Sequence, residues 1–264
     1  MREVITLEYH DVVADSDFDG SGFTMAGSAS YKLLAADFEA HLEAVARSAG
    51  ERLAVGGRAD DAAPNLAIPV LLTFDDGGRS ALDIADRLDR RGWRGHFFTA
   101  TNFIGTAGFC TADALRELHT RGHVVGSHSC SHPLRMGAEP RAALEREWRE
   151  SLDVLCQLLG THAPIASVPG GHFTRAVAET AAEAGIRILF TSEPTSRPQL
   201  IAGCQVLGRY TLRRDDPASR AASLVNAAPF ARARQWTMWN AKKLAKRIAG
   251  PAYLKARALL MAPR

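Results

Sequence analysis

The residue types best able to do chemistry gather in two short stretches. Leu71-Leu72-Thr73-Phe74-Asp75-Asp76-Gly77-Gly78 runs an apolar segment into two adjacent carboxylates and two glycines. Gly126-Ser127-His128-Ser129-Cys130-Ser131-His132-Pro133 follows the apolar pair Val124-Val125 and holds two histidines four residues apart. Adjacent side chains at a strand end point in different directions, so one carboxylate can bind a metal while the other faces a substrate. Two neutral imidazoles and one carboxylate make a three-ligand set that leaves a coordination position for water. A helical turn over His128–His132 would bring both rings to one side. In the competing reading the aspartates only cap the helix that follows, and each histidine is a satisfied core or surface residue. Two polar loops, each ending a strand and together supplying Asp, Asp, His and His, favour the metal site. No Gly-x-Ser-x-Gly elbow points to a serine hydrolase, and no Gly-x-Gly-x-x-Gly or phosphate loop points to a nucleotide cofactor.

The elements that must position these residues alternate strand and helix. Val4 to Tyr9 reads as the first strand and ends in His10-Asp11. Asp15 to Ser30 is polar and Gly-rich, a loop placed to cover a site. Ala35 to Ala49 is an amphipathic helix with Phe38, Leu42 and Val45 on one face. Gly56 to Asn65 is another loop. Ile68 to Phe74 is a buried strand, and Arg79 to Arg91 the helix behind it. Arg94 to Thr99 and Val124-Val125 are strands, with a helix from Thr111 or Ala112 to about Arg121 between them. Pro140 to Leu159 is a long helix in which Trp148 reads as core. Ile165 to Val168, Ile186 to Phe190 and Gln205 to Leu212 are the remaining strands, with a helix from Thr174 to Ala184 stopped by Gly185. Asp216 to Ala228 reads as one more helix, broken by Pro229. Such alternation argues an α/β barrel, and every polar motif falls at the C-terminal end of a strand, where barrel sites gather.

Thr73-Phe74-Asp75-Asp76-Gly77 and His128-Ser129-Cys130-Ser131-His132 resemble, in order and separation, the first two motifs of the polysaccharide deacetylase family, family four of the carbohydrate esterases (the NodB-homology domain). Ser167-Val168-Pro169-Gly170-Gly171 sits where that family has Arg-x-Pro-x-Gly. The resemblance covers roughly residues 3 to 215. It implies a distorted (β/α)7-type barrel over 1–230, and a metal-dependent hydrolase that removes N-acetyl groups from an acetylated sugar or glycan in cell-surface or exopolysaccharide biosynthesis. It further implies that Asp76, His128 and His132 hold one divalent ion, that Asp75 is the general base, and that a backbone N–H near Gly170 helps hold the oxyanion. Zinc is the default for such a set, with cobalt, nickel or iron as alternatives. Two departures stand out. Ser167 replaces the arginine that orients the base, with Arg209 of the last strand the candidate substitute. The family's acid histidine near the C-terminal end of the barrel has no counterpart, since no histidine follows His172. His172 and His10 are the candidate acids, with His172 slightly preferred. The ending Tyr-His-Asp resembles the poly-N-acetylglucosamine deacetylase branch and puts His10 at the barrel mouth. Glu193 is a weaker candidate for contact with substrate or for the acid role. These departures motivate two alternatives: a barrel that binds a glycan or a partner protein without turnover, and an amidase acting on a non-sugar substrate.

Composition is that of an ordinary globular chain of 264 residues with a net charge of +3. Charge is uneven, since 231–264 holds nine Lys or Arg and no Asp or Glu, leaving 1–230 net negative. No apolar stretch is long enough to span a membrane, and Met1 to Leu7 lacks the apolar core of a signal peptide. Four cysteines without a Cys-x-x-Cys pair suit free thiols in a reducing compartment. The expectation is a cytoplasmic protein. Its basic tail mixes Arg232, Arg234, Lys242, Lys243, Lys246 and Arg247 with Trp236, Met238, Trp239 and Leu244, and Gly250-Pro251 divides it into two helical segments. That pattern suits either helices packed on the barrel or peripheral contact with the anionic inner membrane face. Nucleic acid is not expected as a partner, because no recognition motif accompanies the charge.

Overall fold

The computed structural model describes residues 2–15, 17–25, 27–49, 53–57, 59, 68–226 and 230–241. Its strands are β1 (Ile5–Tyr9), β2 (Val12–Val13), β3 (Leu33–Leu34), β4 (Leu53–Val55), β5 (Ile68–Phe74), β6 (Gly95–Thr99), β7 (Val124–Ser127), β8 (Ile165–Ser167), β9 (Ile188–Phe190), β10 (Gln199–Ile201), β11 (Cys204–Leu207) and β12 (Tyr210–Thr211). Its helices are α1 (Ala35–Ser48), α2 (Ala81–Asp89), α3 (Ala112–Thr120), α4 (Arg141–Leu159), α5 (Arg175–Glu183) and α6 (Ala218–Val225). Short 3-10 turns cover Ser28–Tyr31, Thr101–Phe103, Met136–Ala138 and Pro169–Gly171.

Strands β1, β5, β6, β7, β8 and β9 lie side by side, every neighbouring pair parallel. The barrel closes through one segment that changes partner. Cys204–Leu207 pairs with β9, and Tyr210–Thr211 pairs with β1. Gly208 and Arg209 make the step between the two ladders. There is room there for glycine alone, because a Cβ on Gly208 would stand 2.3 Å from the carbonyl oxygen of Glu193. The expected last strand, Gln205 to Leu212, is therefore real but divided. The sequence reading omits β10, which pairs antiparallel with β11 through a two-residue turn, and the short β2–β3 pair.

Period-two alternation sorts the β5 side chains. Val70, Leu72 and Phe74 join the apolar layer beneath α1, α2 and α6. Leu71 turns the other way, into a cluster with Phe98, Phe190 and Leu207 in the barrel lumen. Thr73 and then Asp75 continue that inner face. Each fully buried Leu or Phe contributes about 1.5–3 kcal/mol, so the register that points Asp75 inward is held by the whole strand. Helix α1 buries Phe38, Leu42 and Val45 as expected, and α4 buries Leu144, Trp148, Leu152 and Leu155. Thr111 caps α3 by accepting from the Ala114 N–H. Gly160 and Gly185, with φ of 69° and 100°, follow α4 and α5 in the conformation that glycine adopts without strain.

Residues 230–241 are helical and fastened to the barrel. Arg232 donates to the carbonyls of Leu224 and Val225 at 2.7 and 3.2 Å and pairs with Glu3 at 2.8 Å. Gln235 donates to the Thr211 carbonyl at 3.0 Å. The expected boundary at 230/231 thus falls inside a docked helix. Phe230, Trp236 and Met238 stay exposed, at 86, 56 and 46%. Pro229, the Gly250-Pro251 division and the second basic segment of the tail lie outside the described residues, as does most of Gly56 to Asn65. No helix among the described residues is long and apolar enough to cross a membrane.

Candidate active site

Asp75 and Asp76 leave the end of β5 in different directions. Neither is the cap residue of α2, a position that Ser80 occupies. Asp76 has φ 77°, a left-handed conformation that costs a residue with a Cβ on the order of 1–3 kcal/mol. The turn aims its carboxylate at the histidine loop: Oδ1 lies 3.5 Å from His128 Nε2 and 3.3 Å from His132 Nε2. The histidines do not meet on a helical turn. Residues 128–135 form a loop in which Ser129 and His132 are left-handed, with φ of 63° and 57°, and the rings stand 5.1 Å apart. Ser129 Oγ accepts from the His132 N–H at 3.1 Å, and Ser127 Oγ accepts from the Ser129 N–H at 3.0 Å. The two rings therefore meet through a loop backbone and not through the expected helical turn.

One ligand atom from each of Asp76, His128 and His132 lies within 4.8 Å of the others. His128 Nδ1 is engaged elsewhere, 2.5 Å from Ser167 Oγ, which leaves Nε2 facing the cluster. Such a fixed imidazole, with its second nitrogen bonded behind it, is what a divalent ion requires. Two imidazoles and a carboxylate converging with nitrogen and oxygen lone pairs fit a zinc-like cation. Burial opposes ionisation of the Asp76 carboxyl, but hydrogen bonds from His128 and His132 hold it well below the usual carboxylate range.

The cation that Ser167 does not provide beside Asp75 comes from Arg209. Its guanidinium is fully buried and grips Asp75 with two parallel bonds, Nη1 to Oδ1 and Nη2 to Oδ2, both 2.7 Å. It also donates to Thr73 Oγ1 at 3.2 Å and lies 3.4 Å from Glu8 Oε1. Ser167 Oγ, accepting from His128, donates to Asp75 Oδ1 at 3.2 Å. Burial pushes the Asp75 carboxyl up, yet the Arg209 and His128 charges outweigh it and hold the group below its ordinary value. Glu8, His10 and Asp75 also converge. Arg209 already stands as the cation of that group, bonded to Asp75 and 3.4 Å from Glu8 Oε1. Sequence reasoning named Arg209 without a signal that placed it. The signal available was a lone cation inside an otherwise apolar closing strand.

The remaining candidates separate. His10 stands beside Asp75, its ring packed at a tilt against Tyr31 with centroids 4.7 Å apart, and its Nδ1 is buried with no hydrogen-bond partner among the described residues. His172 follows the Pro169–Gly171 turn and packs on the Met136–Ala138 turn, its carbonyl accepting from the Gly137 N–H at 2.9 Å. Gly170 and Gly171 are both left-handed, with φ of 64° and 62°. A Cβ on Gly170 would stand 2.2 Å from the Leu134 carbonyl oxygen, and one on Gly171 would stand 3.2 Å from Trp239 Cη2. The glycine pair is thus wedged between the histidine loop and the C-terminal helix. Glu193 holds the closing strand through its backbone, its carbonyl accepting from the Arg209 N–H at 3.0 Å.

The loop expected as a cover is fixed in place. Lys32 Nζ donates to the carbonyls of Phe18 and Phe23 at 2.5 and 2.7 Å. The Phe23 ring packs 4.5 Å from that of His132. Asp11 Oδ1 accepts from Ser21 of this loop at 2.6 Å and from Ser80 at 2.7 Å.

Comparison with known proteins agrees with the motifs. The family model described as polysaccharide deacetylase matches residues 63–189. The chain is similar to a de-N-acetylase from Aggregatibacter actinomycetemcomitans, with TM-score 0.67, 16% identity, and coverage of 84% of this chain and 100% of that one. It is similar to IcaB from Ammonifex degensii, with TM-score 0.64 at 21% identity, covering 87% and 97% of the two chains. It also resembles the Streptococcus pyogenes deacetylase PplD solved with acetate, with TM-score 0.63 at 15% identity, covering 83% and 96%. Among curated proteins, none matches. At these identities the structural likenesses establish the fold, and the family match falls on the stretch that carries both polar motifs. Residues 63–189 thus match the polysaccharide deacetylase family, and the fold is shared with deacetylases of known structure.

Proposed function

We propose that this protein is a metal-dependent N-deacetylase acting on an acetylated saccharide of a cell-surface or exported polysaccharide. The observation that carries the reading is the convergence of Asp76, His128 and His132 beside an Asp75 clamped by Arg209. Zinc is the ion the donor set favours, held by those three side chains. When bound, such an ion lowers the pKa of its water and polarises the acyl oxygen. Asp75, ionised and pinned by two hydrogen bonds, takes the proton from the attacking water. A backbone N–H near Gly170 is the donor proposed for the oxyanion. His10, beside Asp75 and with a free ring nitrogen, suits the proton delivery to the leaving amine better than His172 does. Arg209 also removes one of the two motives for a non-catalytic barrel. The experiment is metal analysis of the purified protein together with acetate release from an acetylated chito-oligosaccharide. One divalent ion per chain with acetate release supports the reading; metal without acetate release on saccharides would leave the non-sugar amidase, and neither would leave a binding module.

The same reading extends to location. The docked helix carries Arg234 beside exposed Phe230, Trp236 and Met238. Basic side chains near an anionic leaflet each contribute about 1 kcal/mol, and tryptophan favours the headgroup region. We place the protein in the cytoplasm, peripheral at the inner membrane face.

A further inference from the structure

Helix α4 carries a carboxylate on its buried face. Glu147 stands among Leu144, Trp148 and Ser151 and is 6% exposed. A charge in that position is costly unless donors surround it. The donors come from two consecutive residues of the histidine loop. Oε2 accepts from the Cys130 N–H at 3.0 Å, the Ser131 N–H at 2.9 Å and the Cys130 thiol at 3.2 Å, while Oε1 accepts from the Ser131 hydroxyl at 2.6 Å. Cys130 and Ser131 lie between His128 and His132. The residues flanking them, Ser129 and His132, are the two left-handed positions of the loop. A backbone with two such residues unwinds unless its surroundings over-determine it. Glu147 binds the middle of the loop from outside, and no atom of it belongs to the ligand cluster.

We propose that Glu147 is the positioning residue that sets how tightly the His128–His132 loop binds its ion. The inference rests on the metal reading of the site. It adds a charge on α4 to the Ser127 and Ser129 bonds by which the loop holds its own backbone. Residues that orient metal ligands from behind typically change affinity by about 10–100-fold when removed. Glu147→Ala removes every acceptor and should weaken zinc binding by about that factor. Glu147→Gln keeps an amide oxygen for the two backbone N–H groups and gives up the charge, so its loss should be smaller, under about tenfold. Ser131→Ala removes only the 2.6 Å bond and should cost a few-fold.

The test is competition for zinc between the metal-stripped full-length protein and a fluorescent chelator, with the thermal midpoint of each stripped variant measured alongside. Ordered losses of affinity, with Ala above Gln above Ser131→Ala, support the proposal. If Glu147→Ala does not fold, the Gln and Ser131→Ala variants carry the test, and unchanged affinity in both overturns it. A lowered midpoint with affinity equal to that of the wild type would reduce Glu147 to a structural role and also overturn it. A wild-type protein that takes up no divalent ion overturns the metal reading and this inference together, whereas a wild type that binds zinc no more tightly than Glu147→Ala overturns the inference alone.

Discussion

Replacing Arg209 with glutamine tests the candidate site at the contact on which most of it depends. The substitution leaves Asp75 and Glu8 in the barrel lumen, 4% exposed each, without the guanidinium between them. Removing one partner of a buried ion pair typically costs about 3–5 kcal/mol. At about 2–4 °C per kcal/mol for a chain of this class, the thermal midpoint should fall by about 6–20 °C. The pH dependence follows from the direction of the Asp75 shift. Its folded pKa is depressed below the usual 3.8, so the stabilisation is present above that value and is lost as pH falls through the folded value. Without Arg209, burial becomes the dominant influence and the carboxyl rises. The acid limb of kcat/KM should therefore move to higher pH, and the rate at neutral pH should fall by about 10²–10⁴ as the base loses its orientation. Arg209→Lys keeps the charge but not the two-pronged grip, so it should recover much of the midpoint and little of the rate. The assays are thermal unfolding and a pH–rate profile of acetate release. A glutamine variant within about 2 °C of the wild type, with its acid limb unmoved, would refute the assignment of Arg209 as the orienting cation.

Four further outcomes are expected. Asp75→Asn should keep the bound metal and lose about 10²–10⁴ in rate, whereas Asp76→Asn should lose metal; metal analysis of both variants reveals a swapped assignment. His10→Ala should slow amide hydrolysis far more than hydrolysis of an activated ester, whose leaving group departs without a proton, and His172→Ala should not discriminate between them; the reverse pattern moves the acid to His172. Gly171→Ala should destabilise the protein by about 1–3 kcal/mol, because φ is 62° and the new methyl would stand 3.2 Å from Trp239; a midpoint equal to that of the wild type would show that the turn relaxes freely. Flotation with anionic vesicles should recover the full chain and leave behind a chain ending at Ala231, with recovery falling as salt rises; equal recovery of the two ends the membrane proposal.

The legible parts of this protein were those with local signals. The β5 run into Asp75-Asp76 and the β7 run into the histidine loop are strand-to-loop transitions that hydrophobic patterning exposes directly. The α4 stripe and the glycine stops of α4 and α5 are equally local. Arg209 was named but could not be placed, because its role depends on a closing strand that changes partner at Gly208, a property of the assembled barrel. Glu147 was missed although it interrupts the apolar stripe of α4, and a buried-face glutamate is the mark of a partner elsewhere. The histidine spacing suggested a helical turn where the backbone uses two left-handed residues, since spacing alone does not distinguish the two. The rank of His172 over His10 rested on nearness in sequence to the glycine pair, and in the fold His10 is the one beside Asp75.

The step at Gly208-Arg209 also imposes an order on how the protein comes into being. Asp75 precedes its counter-ion by 134 positions, so on the ribosome a chain synthesised as far as β9 has its acids, its histidines and most of its ladder but no cation in the lumen. Such a nascent barrel has a gap between β9 and β1 and an uncompensated carboxylate facing it. One segment, Cys204 to Thr211, then pairs with both β9 and β1 and brings the Arg209 guanidinium onto Asp75. A chain that stops short of this segment therefore lacks both its ladders to β9 and β1 and the guanidinium that holds the Asp75 carboxyl below its ordinary pKa.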